Sequence, residues 1–311
     1  MKTCTALWKG SSKMHRSIES KVRASLPIVR FLQSSLPLPL SSRLLRQSMT
    51  RVRLDAAVTR EAISADGVAC EWIIPQNSLP GRVLFYLHGG GFVFGLTPLH
   101  LQMGAYLARK MDMRILMVDY RLAPDHPFPA ALDDCIEAYR WLLKQGFSAQ
   151  NIVIAGDSAG GNLTVTSMMK LRDGGIPLPA AAACLSPVTD LTKKDSVNTG
   201  FKDPLLPPKA VRFYSESYVG NNDARIPLIS PVFGDLRGLP PLLVHVGEDE
   251  ILREDAVRIV DKAKADGVDA RLEIYPRMWH VWQLFLALPQ AVQSLDDISQ
   301  FLSSHLEPGT P

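Results

Sequence analysis

NIVIAGDSAGG, residues 151 to 161, is the stretch from which the rest of the chain can be read. A β-rich apolar run ends at Gly156, a serine stands at 158, a second glycine stands at 160, and a helical segment follows. A serine on so tight a strand-to-helix turn has a strained backbone, and side chains two positions before or after it collide with the neighbouring chain. Glycines at 156 and 160 remove those side chains. The turn lifts the Ser158 hydroxyl off the sheet, and the helix N-terminus behind it favours developing negative charge. The same five residues also describe a glycine-rich turn with Ser158 as a helix cap. The remaining chemistry separates the two readings.

Upstream, residues 83 to 92 read VLFYLHGGGF, a second apolar strand that ends in His88 and three glycines. Consecutive glycines after a strand expose backbone N–H groups, and donors fixed in advance stabilise the oxyanion of a tetrahedral intermediate without reorganising. Gly89 and Gly90 are the expected donors, with the N–H of Ala159 beside the nucleophile. His88, at the strand end, is assigned a supporting role.

A serine hydroxyl needs an adjacent base, and the base needs a carboxylate to orient it. Following a strand–GxSxG unit, the chain order is serine, acid, histidine. Only His245, His280 and His305 follow Ser158. His245 lies in an apolar strand (LLVHVG) and His305 in the last polar helical turn, whereas His280, in YPRMWHVWQ, sits on a loop after the final strand. His280 is therefore the expected base. The acid is sought in LLVHVGEDEILRED, residues 242 to 255. Glu254 and Asp255 suit the opening of a helix. Of the others Asp249 is the first choice, with Glu248 and Glu250 in reserve.

Beyond the first fifty residues, short β-rich runs alternate with helical ones, as in an α/β sheet. Strands are predicted near 68–74, 82–88, 114–120, 151–155, 180–185, 242–247 and 270–275, and helices near 99–111, 129–145, 159–172, 253–266 and 289–304. Several strands are apolar almost throughout, as strands buried on both faces must be. Residues 1–50, with a basic extension over 1–15, and a Pro-, Asn- and Lys-containing stretch at about 190–230 do not fit the alternation. Both are predicted to form a helical cap over a catalytic domain spanning 51–311. Pro27, Pro37 and Pro39 divide the first into short helices.

The 311 residues are 46% hydrophobic and 21% charged, as in a protein with a large core. No apolar run approaches the roughly 18 to 20 residues of a transmembrane helix. Residues 1–60 hold twelve Lys or Arg against Glu19 and Asp55, or +10; with a total of +3, the other 251 residues sum to −7. This basic start suits a solvated helical face, organellar targeting or contact with an anionic membrane surface. It lacks the apolar core and cleavage site of a secretory signal, so a cytoplasmic location is expected. It also lacks the interleaved aromatics of a nucleic-acid surface. Cys4, Cys70, Cys135 and Cys184 form no CxxC pair and are read as reduced thiols with no metal site. No cofactor is expected, and a homodimer is an open alternative.

HGGGF at 88–92, DYRLAPDHPFPAAL at 119–132, GDSAGG at 156–161, LSPVTDLT at 185–192, VGEDEILRED at 246–255 and RMWHVWQ at 277–283 stand in the order of a known family. Over roughly residues 55–305 the chain resembles the hormone-sensitive-lipase-like branch of the α/β-hydrolases, the bacterial family IV esterases. The resemblance implies an α/β-hydrolase fold, a mostly parallel central sheet flanked by helices, with a helical cap. It implies a triad of Ser158, Asp249 and His280, with Gly89, Gly90 and Ala159 around the oxyanion. The implied activity is serine carboxylester hydrolysis of small short- to medium-chain esters through an acyl-enzyme. Lactone hydrolysis and deacetylation of a small natural product are the alternatives, since Glu71-Trp72 and MWHVWQ are similar to acetyl-ester and monoterpene-lactone hydrolases. A remoter alternative is a non-catalytic small-molecule receptor, though receptors resembling this family lack the histidine that His280 supplies.

Overall fold

The computed structural model describes residues 18–27, 54–192 and 203–307. Its centre is an eight-stranded sheet in the order β1-β2-β4-β3-β5-β6-β7-β8. The strands are β1 (Val58–Ala65), β2 (Val68–Pro75), β3 (Val83–Leu87), β4 (Arg114–Val118), β5 (Ile152–Asp157), β6 (Ala182–Leu185), β7 (Leu242–Gly247) and β8 (Ala270–Tyr275). From β4 across to β8 all pairings are parallel, while β1 and β2 run antiparallel at one edge.

β3 and β5 to β7 are buried along their whole length because helices cover both faces. With α1 assigned to residues 18–27, the others are α2 (Pro98–Met111), α3 (Ala130–Lys144), α4 (Ala159–Asp173), α5 (Pro208–Val219), α6 (Arg253–Ala265) and α7 (Pro289–Ser304). Alternate strand residues feed separate cores. Phe85, Leu87, Ile152 and Ile154 pack under α3, α4 and α6, while Leu84, Tyr86, Val153 and Ala155 pack under α2 and α7. The period-two alternation of a strand thus places neighbours in different cores.

The seven predicted strands are present, and the five predicted helices lie within a residue or two of their expected bounds. β1 is an addition to the expected set. Its sequence, VTREAISA, is polar because an edge strand paired only with β2 need not be apolar. Arg60 on β1 donates from Nε and Nη2 to Glu71 on β2 at 2.9 and 2.6 Å. In the 190–230 stretch α5 packs on the loop after β3: Tyr218 stacks on Phe92 with centroids 3.7 Å apart, and Tyr214 meets Phe94 edge-on. Pro27, one of the prolines expected to divide the N-terminal segment, is the last described residue of α1. The predicted extension 1–15, with Pro37 and Pro39, lies outside the described residues.

Candidate active site

Ser158 has φ 53° and ψ −114°, an unfavourable region for a residue with a Cβ, and it is held there on several sides. Its N–H donates to Leu185 O at 2.8 Å. A Cβ on Gly160 would lie 1.9 Å from Leu87 O, and one on Gly156 would lie 2.4 Å from Gly160 O. The turn therefore exists only with glycine at both positions, as the sequence predicts.

His280 reaches Ser158 from the loop after β8, with Nε2 2.9 Å from the serine Oγ. The imidazole is almost fully buried, and burial lowers its pKa below 6.5 against the opposing pull of the Asp203 and Asp157 carboxylates. It is thus neutral near pH 7, the form that accepts a proton.

The expected acid is not where the sequence placed it. Asp249 turns outward, its carboxylate a third exposed and 2.5 Å from Arg23 Nη2. The carboxylate facing His280 belongs to Glu250, whose Oε2 lies 4.0 Å from Nδ1. Glu250 is fully buried, and neither its Oε1 nor His280 Nδ1 has another hydrogen-bond partner among the described residues. Past the ends of β7 and β8, Asp249 N–H bonds to Met278 O at 3.0 Å, and the buried residue of this loop is the next one, Glu250. Glu248, the other reserve, uses its Oε2 to accept the Arg277 N–H.

Burial pushes the Glu250 carboxyl well above its ordinary pKa, and the nearby Asp203 and Asp255 charges add to this while the Ser186 hydroxyl opposes it. Ser186 Oγ donates to Glu250 Oε2 at 2.7 Å and accepts the Val281 N–H at 3.2 Å, which ties the acid to the residue after the base. Burial holds the carboxyl toward its neutral form at rest, and the His280 imidazolium that forms beside it supplies the counter-charge that favours its ionised form. The charge pair is thus strengthened as the proton moves.

The expected oxyanion donors also need one correction. Gly89 N–H donates to Asp157 Oδ1 at 2.9 Å, so it is spent inside the protein. Asp157 is a buried carboxylate and collects donors: Tyr86 OH at 2.8 Å on Oδ1 and His100 Nε2 at 3.3 Å on Oδ2. Burial alone would raise its pKa, but His100 and these hydrogen bonds outweigh burial and hold it low. Gly90, the other glycine in the expected set, and Gly91 beside it each have positive φ (117° and 61°) and no backbone donor bond to a described residue. Ala159, the first residue of α4, likewise shows no N–H partner among the described residues.

His88 has the supporting role assigned to it. Its ring stacks on Tyr120 at 4.2 Å, Nδ1 bonds Gly89 O at 2.6 Å, and burial lowers its pKa to about 4. His245 is a core residue bonded to Ser294 Oγ, and His305 bonds Phe301 O at the end of α7. Among the described residues no group of three or more His, Cys, Asp or Glu is arranged to hold a metal, and no helix is long and apolar enough to cross a membrane. Cys70, Cys135 and Cys184 are buried free thiols.

Asp157 and Ser186 escaped the sequence reading, although both stand inside quoted motifs, GDSAGG and LSPVTDLT. Arg23 escaped it as well, and no motif marks that position.

A family model described as alpha/beta hydrolase fold matches residues 84–284. An acetyl-hydrolase of Streptomyces hygroscopicus is 38% identical over 245 residues, 78% of this chain and 82% of the relative. An esterase of Acinetobacter venetianus is 37% identical over 242 residues, 76% of this chain and 80% of the relative. Among solved structures, an esterase from the bacterial hormone-sensitive lipase family superposes with a TM-score of 0.84 at 38% identity, covering 91% of this chain and 98% of its own.

Proposed function

This chain belongs to the α/β-hydrolase family, in its hormone-sensitive-lipase-like branch, and from that membership we propose that Ser158, His280 and Glu250 form the triad of a carboxylic ester hydrolase. The observation that carries the reading is the 2.9 Å contact between His280 Nε2 and Ser158 Oγ on the strained turn.

As the Ser158 Oγ attacks the acyl carbon, its proton passes to His280 Nε2 and the carbonyl oxygen becomes an oxyanion facing the N–H groups of Gly90, Gly91 and Ala159. Glu250 balances the imidazolium. The C–O bond to the alcohol then breaks, the alcohol leaves with the proton from Nε2, and the acyl group stays on Ser158. Water enters, gives a proton to His280 and attacks the acyl carbon; collapse of the second tetrahedral species returns the proton to Ser158 Oγ and releases the acid. Glu250 lies 4.0 Å from Nδ1 before substrate binds, a distance that such contacts commonly shorten in the bound complex.

The substrate is a small ester with a short- to medium-chain acyl group. Tyr214 lies against Gly91, where a Cβ would be 2.5 Å from its ring, so α5 crowds the oxyanion side of the site. The name of the Streptomyces relative favours acetyl esters within that range. The division into a cap (1–50 and about 190–230) and a catalytic domain (51–311) is proposed on the packing of α1 and α5 over the loops that carry the site. Contact of the basic N-terminal segment with anionic membranes, a cytoplasmic location and a homodimer are proposed from the sequence alone.

A fluorophosphonate probe is expected to label the protein at Ser158, and Ser158→Ala is expected to abolish labelling and to lower p-nitrophenyl acetate hydrolysis by at least about 10⁴-fold. Labelling elsewhere, or retained hydrolysis, rejects the assignment.

A further inference from the structure

The acid and base stand on separate loops, after β7 and β8. Backbone and side-chain bonds join these loops near the sheet: Glu248 N–H to Tyr275 O at 3.0 Å, Asp249 N–H to Met278 O at 3.0 Å and Arg277 N–H to Glu248 Oε2 at 3.0 Å. Glu250 and His280 lie just past those bonds, with 4.0 Å between the atoms that must interact. At this distance a small slip of either loop decides whether a relay exists.

A single side chain from the other end of the chain bridges the two loops. Arg23, on α1, donates from Nη2 to Asp249 Oδ2 at 2.5 Å and from Nη1 to Arg277 O at 2.8 Å. Its guanidinium also lies 5.9 Å from the ring centroid of Trp279, the residue before His280. The planar fork suits one cation to two acceptors, which a lysine cannot hold in the same way. The helix is gripped in return: Arg277 Nη2 donates to Glu19 Oε1 at 2.7 Å, and fully buried Leu26 packs in a cluster with Met278, Trp279 and Trp282.

We propose that α1 is a positioning element for the general base, and that Arg23 holds the acid-bearing and base-bearing loops in the register that brings Glu250 to His280. This rests on the reading of Glu250 and His280 as the relay. It also gives a role to Asp249: its carboxylate anchors Arg23, one residue away from the acid.

The pair is partly exposed, so its contribution is to geometry more than to stability. In the full chain, Arg23→Ala is expected to lower kcat for p-nitrophenyl acetate about 10-fold, with KM and the melting temperature little changed, because misplacing a catalytic group acts on the chemical step. Arg23→Lys is expected to recover part of the loss. Asp249→Ala is expected to match Arg23→Ala, and the double variant is expected to be no worse than either single one. Rates are normalised to folded protein by circular dichroism, so partial unfolding does not mimic the effect. The proposal is overturned by a kcat within about two-fold of wild type in Arg23→Ala, by a loss confined to KM, or by fully multiplicative losses in the double variant. Glu250→Gln, measured alongside, separates the two ideas. If it is crippled while Arg23→Ala is not, the relay stands and the positioning role falls; if it is active, the relay itself falls.

Discussion

Around β3 and β5, the nucleophile and its oxyanion loop are shaped by side chains that are missing; around β7 and β8, the acid and base are placed by side chains that are present. Gly156 and Gly160 leave no room for a Cβ, and Ser158 is forced into positive φ by backbone atoms alone. Among the described residues the relay side has one comparable constraint, at Gly247, where a Cβ would meet Met278 O at 2.3 Å. Its remaining order comes from Ser186 bridging Glu250 and Val281, Arg23 bridging Asp249 and Arg277, and Leu26 packed on the tryptophans. A site made this way has one half whose backbone tolerates no added side chain and another whose supporting contacts can be lost one at a time.

The largest effect on folding is expected on the glycine side. Gly160→Ala places a methyl group against Leu87 O, a backbone atom of a central strand that cannot yield. Expression without soluble, folded enzyme is the expected result, or folded protein with activity reduced by at least about 10³-fold, since a 1 Å displacement alone costs about 10²-fold. Near-normal activity in this variant would break the contrast between the two halves. Soluble yield and phosphonate labelling measure it.

The smallest effect is a shift along the pH axis. A general base works in its deprotonated form, and burial lowers the pKa of His280, so the fall of kcat/KM on acidification has its midpoint below 6.5. Exposing the imidazole is expected to move that midpoint upward. A wild-type profile that falls at or above 6.5 would place the base in a wetter setting than the structure describes.

The same contrast explains what could be read from the sequence. Glycine-dependent turns have local signatures, so the Ser158 elbow, the glycine loop and most of the sheet were legible. Long-range side-chain contacts have no such signature. Glu248, Asp249 and Glu250 are adjacent acids, and their choice depends on how the loops after β7 and β8 pack on each other, which is a property of segments brought together by the fold. Gly89 failed for a related reason. A glycine in a loop was counted as a free donor, but the buried Asp157, 68 positions away, takes its N–H. β1 was missed because an edge strand needs no apolar run, and Arg23 because its partners lie more than two hundred residues downstream.

The chemistry of the relay depends on which carboxylate serves His280. Steady-state hydrolysis of p-nitrophenyl acetate by Glu250→Gln and Asp249→Asn, measured side by side, tests this most directly. A fall in kcat of about 10³- to 10⁴-fold for Glu250→Gln, with Asp249→Asn within about 10-fold of wild type, is the result predicted here. The reverse order would contradict it and return the acid to Asp249.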